Sequence, residues 1–156
     1  TEDVELIRQK LGGWKHGGTF SHHPVGCAAA LATLHIMQEE NLVENSAKMG
    51  AKLGQMLWDA LSDHPNVGDV RGLGLFWGIE LVQDKVSKVP FPASRHLAWD
   101  IWQRAFEKGL IVYYSQGCAD GQNGDVIMLG PPLIVNEVQL TEMVAILAEV
   151  IREALG

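Results

Sequence analysis

Lys15-His16-Gly17-Gly18-Thr19-Phe20-Ser21-His22-His23-Pro24, followed by the alanine-rich run from Val25 to Met37, decides how this chain is read. The two halves are opposite kinds of sequence. Val25, Ala28, Ala29, Ala30, Leu31, Ala32, Leu34, Ile36 and Met37 leave almost no polar face, and alanine and leucine are strong helix formers. The run therefore reads as a buried helix. Pro24 suits its first turn, where a missing N–H costs nothing. The preceding loop gathers glycines, a threonine, a serine and histidines just ahead of that helix, where free backbone N–H groups and the helix dipole favour an anion. Most loops of this composition are only a Gly-rich turn with a Ser or Thr cap. Here the loop also presents a hydroxyl and amides beside a rigid helix.

Outward from this stretch, Thr1 to Gly13 reads as a short acidic-to-basic helix stopped by Gly12-Gly13. On the other side a second helix runs from about Val43 to Leu61, with Leu53, Leu57, Ala60 and Leu61 on one stripe, and Ser62-Asp63-His64-Pro65-Asn66 stops it. Val70 to Val82 reads as a strand pair or one long bent strand, interrupted by glycines at 72, 74 and 78. Asp84 to Pro92 is a charged, proline-containing loop. A helix from Ala93 to Lys108 ends at Gly109 and buries Leu97, Ala98, Ile101, Trp102, Ala105 and Phe106. Leu110 to Tyr114 reads as a strand, Gln116 to Asp125 as a turn region and Val126 to Leu129 as a second strand. Asn136 and Gln139 form a capping box that opens a last helix, striped by Leu140, Met143, Val144, Leu147, Val150, Ile151 and Leu155. Strands and helices in this order make a small α+β layer with a mainly antiparallel sheet.

Composition bounds the function without naming it. A hydrophobic content of 47% with 20% charged residues is globular, and 156 residues are long enough for one core, or one and a part. A net charge of −7, with no cluster of Lys or Arg, argues against a nucleic-acid or anionic-membrane partner. Cys27 and Cys118 stand far apart without a C-x-x-C pattern and read as reduced thiols of a cytoplasmic protein. The apolar runs fall short of membrane-spanning length, and the N-terminus carries no signal-peptide pattern.

Several site patterns do not survive inspection. Gly72-x-Gly74-x-x-x-Gly78 imitates a dinucleotide loop, but Leu75, Phe76 and Trp77 lie inside it and Ile79-Glu80-Leu81-Val82 continues as strand; a glycine-kinked strand packed closely on a neighbour fits better. His16, His22 and His23 lack a carboxylate or cysteine at ligand spacing, so no metal site is assigned. Arg71, flanked by apolar strand, reads as an ion-pair partner, and Trp58, Trp99 and Trp102 as core or interface packing.

The pattern H-G-G-T-F-S-x-H-P with A-A-A-L-A-T-L behind it resembles the class III (ω-) aminotransferases, pyridoxal-phosphate enzymes of fold type I. The resemblance continues through Val67-Gly68-Asp69-Val70-Arg71-Gly72-Leu73-Gly74-Leu75, Gly78-Ile79-Glu80-Leu81 and Gly130-Pro131-Pro132-Leu133-Ile134, in the family's order and over nearly the whole chain. It implies an α/β protein whose C-terminal domain is α+β, with long helices leading from a cofactor-binding large domain into a small one. Residues 1–41 would be the tail of the large domain, carrying the phosphate loop and the buried helix. Residues 42–156 would be the linking helix and the small domain. It further implies pyridoxal 5'-phosphate as cofactor, an amine or amino acid and an oxo acid as substrates, and a homodimer. In that dimer Thr19, flanked by Gly18 and Phe20, contacts the cofactor phosphate of the neighbouring subunit.

Two departures qualify the resemblance. The family's Schiff-base lysine and the acid that holds the pyridine nitrogen protonated both precede the threonine loop, and only Lys10 and Lys15 do so here, neither in the family's lysine motif. The chain thus reads as a C-terminal portion with no catalytic residue of its own, inactive alone. A non-catalytic pseudo-enzyme or dimerisation domain, and a racemase or aminomutase on the same fold, remain alternatives. The second departure concerns substrate. Where many members carry a carboxylate-binding arginine after G-[VL]-x-[VI], this chain has Tyr113, and Tyr114 stands at the following proline. Where another subset carries an arginine before Pro-Pro-Leu, it has Met128. Tyr113 is therefore the candidate substrate-lining residue.

Overall fold

The computed structural model describes residues 2–13 and 17–156, which fall into two compact units, 1–40 and 41–156. The first unit holds helix α1 (Glu2–Leu11), closed by Gly12 and Gly13 at positive φ, and helix α2 (Pro24–Glu39). Lys15 and His16 of the loop lie outside the described residues. The expected buried helix needs correction. No residue of α2 is buried, and Val25, Leu31, Leu34 and Ile36 are 70%, 56%, 54% and 48% exposed. The physical reason is size: a unit of this length, with two helices and no sheet among its described residues, has no second layer there to cover an apolar helix.

The second unit is two-layered. Its sheet joins β1 (Val67–Leu73), β2 (Phe76–Asp84), β4 (Tyr113–Gln116) and β5 (Asp125–Leu129) in the order β1-β2-β5-β4, and the short β3 (Val89–Pro90) pairs with β2. Every pairing is antiparallel. Helices α3 (Leu42–Leu61), α4 (Leu97–Glu107) and α5 (Glu137–Leu155) cover one face. Leu53, Leu57 and Leu61 of α3, Ile79 and Leu81 of β2, Ile101 of α4, Ile127 and Leu129 of β5, and Leu140, Leu147 and Ile151 of α5 meet there in one cluster, almost wholly shielded from solvent. Each such side chain contributes about 1.5–3 kcal/mol by leaving water.

Glycines set how closely the layers approach. The Val70–Val82 segment is a hairpin turning at Gly74, which has φ +55. A Cβ at Gly50 would overlap the Gly74 carbonyl, and one at Gly54 would overlap the Trp77 ring. Trp77 Nε1 donates to that same Gly74 carbonyl at 2.8 Å, so α3, the turn and the indole interlock. Beyond the sheet, Asn45 Nδ2 of α3 donates to the carbonyls of Leu133 (2.6 Å) and Val135 (3.2 Å), tying down the Pro131-Pro132 segment. The capping box is reciprocal: Gln139 N–H donates to Asn136 Oδ1 and Asn136 N–H to Gln139 Oε1, both at 3.0 Å.

Three expectations shift. The Ala93–Lys108 helix is split into a 3-10 turn (Ala93–Arg95) and α4 by His96, whose φ is +50. Its true start is set from across the chain, because the Asp125 carboxylate, 2% exposed, accepts the Ala98 N–H at 3.1 Å. The strand expected at 110–114 begins at Tyr113, where pairing with Met128 starts, although Leu110 and Val112 are already buried. The loop expected at 84–92 folds back at Asp84, whose Oδ1 accepts the Ser87 N–H at 2.7 Å, so that Val89–Pro90 pairs with β2. Among the tryptophans, Trp102 is half-buried and stacks on Trp99 with centroids 4.9 Å apart, while Trp58 and Trp99 are exposed. No helix of the described residues is long and apolar enough to cross a membrane.

Candidate functional site

Two surfaces carry the residues singled out, one in each unit. In the first, the loop before α2 closes on itself. Ser21 N–H donates to the Gly18 carbonyl and Gly18 N–H to Ser21 Oγ, each at 2.9 Å, and His23 N–H reaches the Phe20 carbonyl at 3.3 Å. Thr19 and Phe20 are left at the outer corner, exposed. Among the described residues, the Thr19 hydroxyl and the Thr19 and Phe20 amides make no hydrogen bond. A Cβ at Gly17 or Gly18 would meet nothing within 4 Å, so no described residue packs closely on these glycines.

The helix end itself is less available than the sequence implies. His23, neither Ser nor Thr, is the N-cap: its Nδ1 accepts Gly26 N–H at 3.1 Å, and its carbonyl accepts Cys27 N–H at 2.9 Å. Pro24 has no N–H to offer. Among the described residues of the loop and the first helical turn, the Thr19 and Phe20 amides share their lack of a partner with those of His22 and Val25, whereas the Gly18 amide is already spent on Ser21. Among the described residues no group of three His, Cys, Asp or Glu side chains could hold a metal ion.

The second surface is the sheet face that the helices leave open. Register sets its composition. Arg71 stands opposite Gly78, Gly78 opposite Met128 and Met128 opposite Tyr113, so these four form one transverse row across β1, β2, β5 and β4. The two positions where the family resemblance expects arginines, Tyr113 and Met128, are therefore cross-strand neighbours on one face. Spacing in the sequence does not reveal that pairing. Tyr113 is 70% exposed.

At the other end of the row Arg71 Nη1 donates to Asp69 Oδ2 at 2.9 Å and to Glu80 Oε2 at 3.3 Å. The hydrogen bond to Asp69, with the pull of Glu80, raises the guanidinium above its already high pKa. One cation against two carboxylates leaves this cluster net negative, so Arg71 is an ion-pair partner. Between the row's ends lies a depression of about 400 Å³ walled by Arg71, Leu73, Phe76, Val126 and Met128, with Gly78 among its lining.

Comparison with known proteins gives the chain a family. The family model described as aminotransferase class-III matches residues 3–151. An aminotransferase of Gibberella zeae is 42% identical over 97% of this chain and 30% of its own length. The crystal structure of a Bacillus anthracis aminotransferase superposes with a TM-score of 0.82 at 34% identity, covering 97% of this chain and 34% of that one. The PMP-bound form of an aminotransferase from Vibrio fluvialis does so with a TM-score of 0.78 at 31% identity, over 99% and 32%. The chain thus spans about a third of the length of the relatives it matches.

Proposed function

This chain belongs to the class III aminotransferases, and we propose on that premise that the protein containing it moves an amino group between an amine or amino acid and an oxo acid, using pyridoxal 5'-phosphate. The observation that carries the reading is the exposed Thr19–Phe20 corner, where a hydroxyl and two amides make no hydrogen bond among the described residues, inside the family's threonine motif. Such a donor set, with bare glycines beside it, fits a dianionic phosphate. Bound there, the cofactor supplies an electron sink for the carbon that loses or gains the amino group.

In this reading the Thr19 hydroxyl and the Thr19 and Phe20 amides donate to phosphate oxygens, and Gly17 and Gly18 keep side chains out of their way. Thr19 serves the cofactor of the neighbouring subunit in a homodimer. Tyr113 and Met128 line the substrate approach and supply no cation. The bond-making lysine and the acid facing the pyridine ring belong to sequence outside these 156 residues, which alone transfer nothing. Free thiols at Cys27 and Cys118 fit a reducing, cytosolic setting.

The test is to load the complete protein with pyridoxal phosphate and follow amino acid formation from a 2-oxo acid across a panel of amines and amino acids. Turnover with at least one donor is expected, with none from the 156-residue chain. A cofactor-loaded protein inert toward the whole panel would overturn the reading in favour of a non-catalytic relative.

A further inference from the structure

We infer that Gly78 is a specificity-determining residue, the floor of a subsite on the open sheet face that takes an uncharged apolar substituent of the amine. The inference rests on the aminotransferase reading above and adds the kind of substrate.

The glycines of the second unit fall into three groups. At Gly50, Gly54, Gly68 and Gly72 a Cβ would overlap a neighbour. Gly74, Gly109, Gly117, Gly121, Gly124 and Gly156 have the positive φ that L side chains avoid. Only Gly78 and Gly130 meet neither condition. A Cβ at Gly78 would sit 3.7 Å from Val126 Cγ1, 3.9 Å from the Arg71 carbonyl and 4.0 Å from Met128 Cγ, which is ordinary contact; one at Gly130 would sit 3.6 Å from Phe76 Cδ2. A glycine inside a strand costs roughly 0.5–1 kcal/mol relative to alanine. Neither packing nor backbone conformation within this chain accounts for that cost at Gly78.

What Gly78 supplies is room. It lies in the transverse row beside Met128, and the depression it underlies is walled by Leu73, Phe76, Val126 and Met128, with Arg71 at one side. Gly130, the other unexplained glycine, adjoins Phe76 on the same face. The walls are apolar, and the single cation is held by two carboxylates, Asp69 and Glu80. A carboxylate entering here meets a cluster that is already net negative, whereas an alkyl or aryl group meets methyl, thioether and phenyl surface. Position 78 therefore sets how large that group can be.

The experiment uses the complete protein loaded with pyridoxal phosphate, with 2-aminobutane and 2-aminooctane as a small and a large apolar amine. Wild type, Gly78→Ala and Gly78→Val are compared by the ratio of kcat/KM for the two amines and by the urea midpoint. Gly78→Val is expected to lower the 2-aminooctane to 2-aminobutane ratio about tenfold or more, the scale on which filled space in an apolar pocket discriminates. Gly78→Ala should fall between, with neither midpoint lowered. A ratio unmoved within about twofold in both variants overturns the inference and leaves the aminotransferase reading standing. So does an equal loss on both amines with a lowered midpoint, which would make Gly78 a packing residue. A cofactor-loaded wild type that turns over neither these amines nor any other donor would overturn the aminotransferase reading itself, and this inference with it.

Discussion

Replacing Gly50 by alanine should destabilise the second unit, although alanine is the better helix former. In a helix interior the exchange alone contributes about 1 kcal/mol of stabilisation. Against it stands the Gly74 carbonyl, which a Cβ at position 50 would overlap. The obstacle is backbone in a turn at positive φ, so no side chain can rotate away. Either α3 lifts from the sheet or the hairpin turn moves, and overpacking of this kind costs about 1–3 kcal/mol. Movement of the turn also endangers the 2.8 Å bond from Trp77 Nε1 to Gly74, worth about 0.5–1.5 kcal/mol. The net expectation is a loss of about 2 kcal/mol, the middle of the two costs less the helix gain. Gly78→Ala is the internal control. Its Cβ meets only ordinary contacts, so it should be neutral or stabilise by up to about 1 kcal/mol. Urea titration followed by tryptophan fluorescence measures both, compared at equal slope. A Gly50→Ala midpoint at or above wild type would refute the account of how α3 packs on the hairpin.

Two further predictions concern charge. His64 sits half-buried after α3, its Nδ1 accepting Asn66 N–H at 3.2 Å, and burial, with Arg152 and Lys85 nearby, lowers its pKa below the ordinary 6.5. A folded-state pKa below the unfolded one means the unfolded chain binds the proton more readily, so His64 adds stability above pH 6.5 that is lost as pH falls below it. Urea midpoints at pH 7.5 and 5.5 should differ less in His64→Gln than in wild type, and an unchanged difference contradicts the assignment. In the complete protein, on the aminotransferase reading, Tyr113→Arg should shift kcat/KM toward an amino acid over the matched amine lacking its carboxylate by about 1–3 kcal/mol, the range for one charge-assisted bond. A ratio that does not move would place Tyr113 away from the substrate.

Much of the second unit was legible because its signals are local. The stripe of α3, the Asn136–Gln139 capping box and the Gly109 stop act within a few residues of themselves, and all three stand in the structure. What escaped the sequence depends on partners distant along the chain. Asp125 starts α4 from 27 positions away, and nothing in the wording of Ala93 to Lys108 announces a break at His96. The adjacency of Tyr113 and Met128 exists only once β4 pairs with β5. Gly78 reads like any other strand glycine until its neighbours are measured. In the first unit the apolar pattern of α2 correctly announced a helix but misstated its burial, because periodicity reports which residues favour being covered, not what covers them.

The role given to Thr19 is the center of the account, and cofactor retention tests it most directly. One hydrogen bond to a charged group is worth about 1.5–3 kcal/mol, so Thr19→Ala in the complete protein should weaken pyridoxal phosphate binding by about ten- to a hundredfold. Thr19→Ser, which keeps the hydroxyl, should recover most of that loss, and sedimentation should show the assembly unchanged. Dissociation of the cofactor is followed by its absorbance after dialysis or rapid dilution. If Thr19→Ala held pyridoxal phosphate as tightly as wild type, the Gly18–Phe20 corner would be a turn and nothing more.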